Sequence, residues 1–163
     1  MLMVIATAFT GYATWRYVEV SRDIFGAAER PYVGVQGIRI DQSAPRQPHL
    51  IVEYRDFGNI PADQTIIIGQ LTINGQLVPG QRKASAELGV LSPQVAHFWH
   101  RAIPPESLRP ILDGKSVLSV GIEFAYRDAN DRHYCYRMAF EYHPNVNDFT
   151  PAGGSDRCST QKP

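Results

Sequence analysis

The cluster closest to a chemical site in this sequence is His97-Phe98-Trp99-His100. Two imidazoles converging on one point would hold a zinc-like ion. On a regular strand, positions 97 and 100 face opposite ways, so convergence requires a bulge. A strand with one packed aromatic face is the simpler reading. His133 and His143 fall near the two ends of one strand-like stretch, roughly 33 Å apart by strand rise, and cannot share a small site. His49 opens another such stretch, with no partner that the sequence places beside it.

Cys135 and Cys158 are the only cysteines. They make neither a disulfide framework nor a metal-spaced set. They form one bridge if the domain faces an oxidising compartment. Otherwise Cys135 is a small packed residue and Cys158 sits in a loose tail. Nucleophilic catalysis needs a base and an orienting group beside the nucleophile; the neighbour that could activate Cys135 is Arg137, on the same hairpin face, where it would lower the thiol's pKa. There is no Gly-x-Ser-x-Gly elbow. Gly34-Val35-Gln36-Gly37 and Gly153-Gly154 lack the lysine and the strand-to-helix setting of a phosphate loop. No cofactor or metal is therefore expected. The charges balance, with 16 basic and 16 acidic residues, which gives no electrostatic footprint for nucleic acid.

The elements that must carry these residues begin with an apolar segment. Residues 1–15 have no charged side chain. As a helix they span roughly 22 Å, short of a hydrocarbon core of about 30 Å. Tyr17 and Val18 extend the apolar surface if Arg16 snorkels. Residues 1–18 are thus expected to be a membrane anchor, with a cleaved signal peptide as the main alternative; nothing basic precedes the stretch. Residues 19–30 continue at helical spacing as a juxtamembrane stalk that Pro31 ends. Arg16, Arg22 and Arg30 all follow the apolar segment, which favours a cytoplasmic over an exported domain.

From Pro31 the period changes to that of strands. Val33, Val35, Ile38 and Ile40 predict a first strand, with a bulge near Gly37. His49 to Phe57 and Thr65 to Ile73 predict two more, and Asn74-Gly75 a hairpin turn into Leu77-Val78. Pro79 to Leu88 reads as irregular and basic. Val95 to Ala102 predicts a strand, and Pro104 to Arg109 a short helix or turn. Val117 to Arg127 and Arg132 to Tyr142 predict a hairpin centred on Asn130. Its pairs are then Tyr126–Tyr134, Phe124–Tyr136, Ile122–Met138 and Val120–Phe140. A slip by one residue would set Ile122 against Arg137. The expected fold is mainly β, an immunoglobulin-like antiparallel sandwich over residues 31–144, with a flexible tail over 145–163.

Tyr126, Tyr134, Tyr136 and Tyr142 share one hairpin face. That face is either the interior, with hydroxyls reaching partners at its margin, or an open protein-binding surface. On the second reading Tyr126, Tyr134, Tyr136, His97 and Trp99 are the candidate interaction residues.

Glu29-Arg30-Pro31-Tyr32-Val33, Phe57-Gly58-Asn59-Ile60-Pro61-Ala62 and Leu91-Ser92-Pro93 together carry a resemblance. The chain resembles a group of uncharacterised bacterial membrane-anchored proteins. These share an apolar helix, an Arg-Pro-aromatic lead-in and an Asn/Gly-x-Pro-Ala turn in a predicted β-sandwich. The resemblance implies a single-pass protein of the bacterial inner membrane and assigns no activity. The expected function is a membrane-anchored, non-enzymatic binding or accessory module with a protein partner. The alternatives are a subunit of a larger membrane complex, and a small tethered enzyme or metal-binding protein using His97, His100 or Cys135.

Overall fold

The structure, a computed structural model, describes residues 30–44, 46–78 and 84–155. The expected anchor and stalk up to residue 29, the basic Gln81-Arg82-Lys83 stretch and Cys158 lie outside the described residues. Among the described residues, no helix is long and apolar enough to cross a membrane.

Two antiparallel sheets make up the fold. The smaller runs in the order β1 (Val33–Asp41), β2 (His49–Asp56), β6 (His97–Ala102). The larger runs β4 (Gln76–Leu77), β3 (Ala62–Ile73), β7 (Leu118–Arg127), β8 (His133–His143), β9 (Asp148–Ser155), and β5 (Ala84–Leu91) also pairs with β3. The sheets bury a common core: Leu50, Val52 and Tyr54 from β2, Ile67 and Leu71 from β3, and Val120, Ile122 and Phe124 from β7. Tyr54 meets Phe124 across the interior, with ring centroids 5.3 Å apart. Removing each such side chain from water contributes roughly 1.5–3 kcal/mol, so alternate positions on β7 decide its register.

The β7–β8 register is the expected one, with Tyr126, Phe124, Ile122 and Val120 opposite Tyr134, Tyr136, Met138 and Phe140. The β1 bulge falls between Val35 and Gly37. Asn74 and Gly75 both take positive φ, 51° and 77°, as a two-residue turn into β4 requires. α1 (Pro105–Leu112) starts on a proline, whose missing N–H costs nothing in the first turn.

Two segments differ from the sequence reading. Residues 84–88, part of the stretch expected as irregular, open β5, which runs along β3. The segment after Pro144, expected as a flexible tail, carries β9 paired to β8. Both are rich in small residues, a composition that by itself favours loops. Main-chain pairing with an already ordered neighbour overrides that weak local preference, and in β9 Phe149 also packs on Tyr142, centroids 5.2 Å apart.

The β7–β8 turn is organised by Asp128, which is 3% exposed. Its carboxylate accepts the Asn130 and Arg132 backbone N–H groups, the Arg132 guanidinium at 2.7 Å and the Tyr134 hydroxyl at 3.0 Å. Burial pushes this carboxyl up, but the donors from Arg132, Tyr134 and Asn130 together outweigh it and hold the group below its ordinary value of 3.8. A depressed carboxyl contributes stability above its unfolded value and loses it as pH falls through the folded one. Asp128→Asn is therefore expected to lower the thermal midpoint at neutral pH. The gap from wild type should narrow below about pH 4. A gap that stays constant down to about pH 2 would show that the Asp128 charge contributes nothing.

Candidate binding surface

The histidine cluster does not assemble. His97 pairs with Tyr54 in the β2–β6 register and stacks on its ring at 5.7 Å, facing the interior. His100 lies on the opposite pleat and is exposed, so one ion cannot bind both. Among the described residues no group of histidine, cysteine or carboxylate side chains could hold a metal ion. His133 and His143 end opposite extremities of β8.

The five aromatic candidates are placed mostly inward. Trp99 and Tyr126 are buried, at 9% and 5% exposure. His97, Tyr134 and Tyr136 are half-buried. Tyr126 and Tyr134 stack, with centroids 5.6 Å apart, and Tyr136 meets Tyr32 edge-on at 6.0 Å. Burial raises the Tyr54, Tyr136 and Tyr142 hydroxyls above their ordinary value, and Tyr142 donates to Asn147 at 2.7 Å. These rings pack in the core that the two sheets bury and at its margin.

The open feature lies at the bulged end of β3, and two of the aromatic candidates, Tyr126 and Tyr134, contribute to its lining. β3 is bulged between Ala62 and Ile66 against both β5 and β7. Gln64 there takes φ 45°, and Gly89, opposite Thr65, takes φ 71°. A side chain at position 89 would be strained at that angle. The doubled bulge opens a groove of about 450 Å³. Ile66, Ile68 and Ala125 line its floor, Glu87 of β5 stands on one side, and Arg127 and His133 on the other. The row Glu87, Ile66, Ala125, Cys135 crosses four strands in register, roughly 14 Å from end to end. Arg127 is held by Asp131 at 2.7 Å. Cys135 is disulfide-bonded, which decides between the two readings of that residue. Bulges of this kind re-aim side chains and end pairing near binding sites.

A second assembly is built on Asp56, which is fully buried. Its Oδ1 accepts the backbone N–H groups of Tyr32 and Gly58, each at 2.8 Å. The Asp56 carbonyl accepts from Gln94, and Phe57 donates to the Tyr32 carbonyl, again at 2.8 Å. The Gln94 side chain donates to the Phe57 carbonyl, and Arg55 lies over the Phe57 ring at 4.7 Å. The Pro31-Tyr32, Phe57-Gly58 and Ser92-Pro93 segments, far apart in sequence, meet here.

Neither Glu87 nor Asp56 stands out in the sequence. Glu87 lies in a stretch whose small residues hide its alternation. Asp56 is a lone carboxylate before Gly58, and only its burial reveals its role. No protein-family model matches the chain, and no curated protein matches it.

Proposed function

We propose that the chain is a membrane-tethered, non-enzymatic binding module of immunoglobulin-like sandwich type, anchored through residues 1–18. In this reading it contacts a protein partner through the outer face of its larger sheet. The observation that carries this reading is the groove beside β5, an apolar floor with charged sides, as protein contacts combine a buried centre with a polar rim. The split of His97 and His100 between two faces weighs against the metal-binding alternative. The disulfide-bonded Cys135 favours an oxidising compartment and so weighs against the cytoplasmic orientation that the arginine distribution favours.

The test is photo-crosslinking in bacterial membranes, with a photoreactive residue at Ser85, exposed on β5, or at His100, exposed on β6. One discrete protein adduct from position 85 and none from 100 is the expected result. Equal adducts from both, or none from 85, would discard the reading. Thiol labelling of the same membranes before reduction reports the compartment, since an exported domain leaves Cys135 unlabelled.

A further inference from the structure

We infer that the free edge of β5 takes up an extended polypeptide segment as an added strand, and that Glu87 selects a segment presenting lysine or arginine there. The inference rests on the reading of this domain as a binding module. β5 is paired to β3 along one side and to no other described strand. Every second N–H and C=O of such a strand points away from its neighbour. Ser85, Ala86, Glu87 and Val90 are exposed along it, Val90 at 60%.

The other edges are blunted. β9 carries Pro151, Gly153 and Gly154, and its register against β8 slips between Ala139 and Phe140. β1 is bulged and lies against β9, and β6 has only six residues. Natural sheets protect edges by such devices. β5 has no proline, and Ala84–Glu87 run in unbroken register with Ile66–Gly69.

The side-chain chemistry narrows the occupant. Glu87 forms no ion pair among the described residues. A residue directly opposite it on an added strand would have its Cβ about 5 Å away. A carboxylate at that position repels, whereas an ammonium or guanidinium attracts and lays its stem toward the apolar groove floor. A second copy fits less well, because two-fold pairing centred on Glu87 opposes two carboxylates.

The probes are a short synthetic strand peptide, with a central lysine flanked by valine and threonine, and its twin with glutamate at the centre. Hydrogen–deuterium exchange on the full chain reads the result. The lysine peptide is expected to slow exchange across Ala84–Glu87 and to bind about threefold tighter than its twin. Glu87→Lys, at an exposed position, should reverse that order. Equal protection by both peptides, or protection of a different strand, overturns the inference. So does protection that grows with protein concentration without peptide, which would put a second copy on the edge. Crosslinking from position 85 tests the module reading separately. A partner captured there with no peptide effect on β5 removes the added strand and leaves the module; failure of both removes both.

Discussion

Gly69→Ala is expected to destabilise the domain by about 3 kcal/mol, the upper end for overpacking a core. Gly69 sits mid-β3, in register with Ile122 of β7. A methyl group there would stand 2.9 Å from Trp99 Cε2 and closer still to Cζ2 and Cη2. The benzo side of the indole therefore packs directly on the β3 backbone at Gly69, and this contact limits how closely the two sheets approach. Trp99 has little room to retreat. It is opposite Val52 in the β2–β6 register, and the Arg101 guanidinium lies 5.0 Å from its ring. An added atom must tilt the indole off its rotamer or push the sheets apart. Chemical denaturation of Gly69→Ala, Trp99→Leu and the double variant checks the cause. Truncating the indole opens a cavity and is costly alone, by roughly 3–5 kcal/mol. In that background the alanine should cost less than about 1 kcal/mol, because contacting residues couple. A full cost for the alanine in both backgrounds would clear Trp99 of responsibility.

The Gly69–Trp99 contact shows what the sequence could and could not reveal. The β7–β8 register was legible because a slip by one residue would bury Arg137 and expose Ile122. Burial then chooses among discrete alternatives. The Asn74-Gly75 turn was legible because few residues accept two positive φ angles. Gly69, by contrast, is one glycine in an isoleucine-rich strand, and nothing local says that an indole from another sheet covers it. β5 and β9 were missed for a related reason. Their small residues carry little signal of their own, and their strands form because β3 and β8 present unpaired edges. The groove depends on all three uncertainties at once: a bulge in β3, a strand at β5 and the mutual register of four strands. Its residues are ordinary in type, so only their convergence identifies them.

Asp56→Ala is expected to cost about 3–5 kcal/mol, since it strands two backbone donors that the carboxylate now receives. The donors are the N–H groups of Tyr32 and Gly58, both on Oδ1. Asp56→Asn can keep that oxygen in place and so should cost less, about 1–2 kcal/mol, because its amide nitrogen would occupy the Oδ2 position. That position is buried and has no hydrogen-bond partner. Equilibrium denaturation of the two variants, with exchange at the Tyr32 and Gly58 amides, makes the comparison. Equal losses for alanine and asparagine would mean that the Oδ1 hydrogen bonds are not the source of the stability. The position of Asp56 gives the result a wider meaning. Tyr32 is the second residue after Arg30, and Asp56 fastens it to the end of β2, while Gln94 brings the β5–β6 loop to the same point. The lead-in, the Gly58 turn and the Ser92-Pro93 turn are thus tied through one carboxylate. If residues 1–18 anchor the chain as proposed, tension from the membrane enters the sandwich at this junction. Asp56→Ala should then release the Tyr32 end before the core unfolds, with fast exchange at Tyr32 while the amides of Phe124 and Ile122 stay protected.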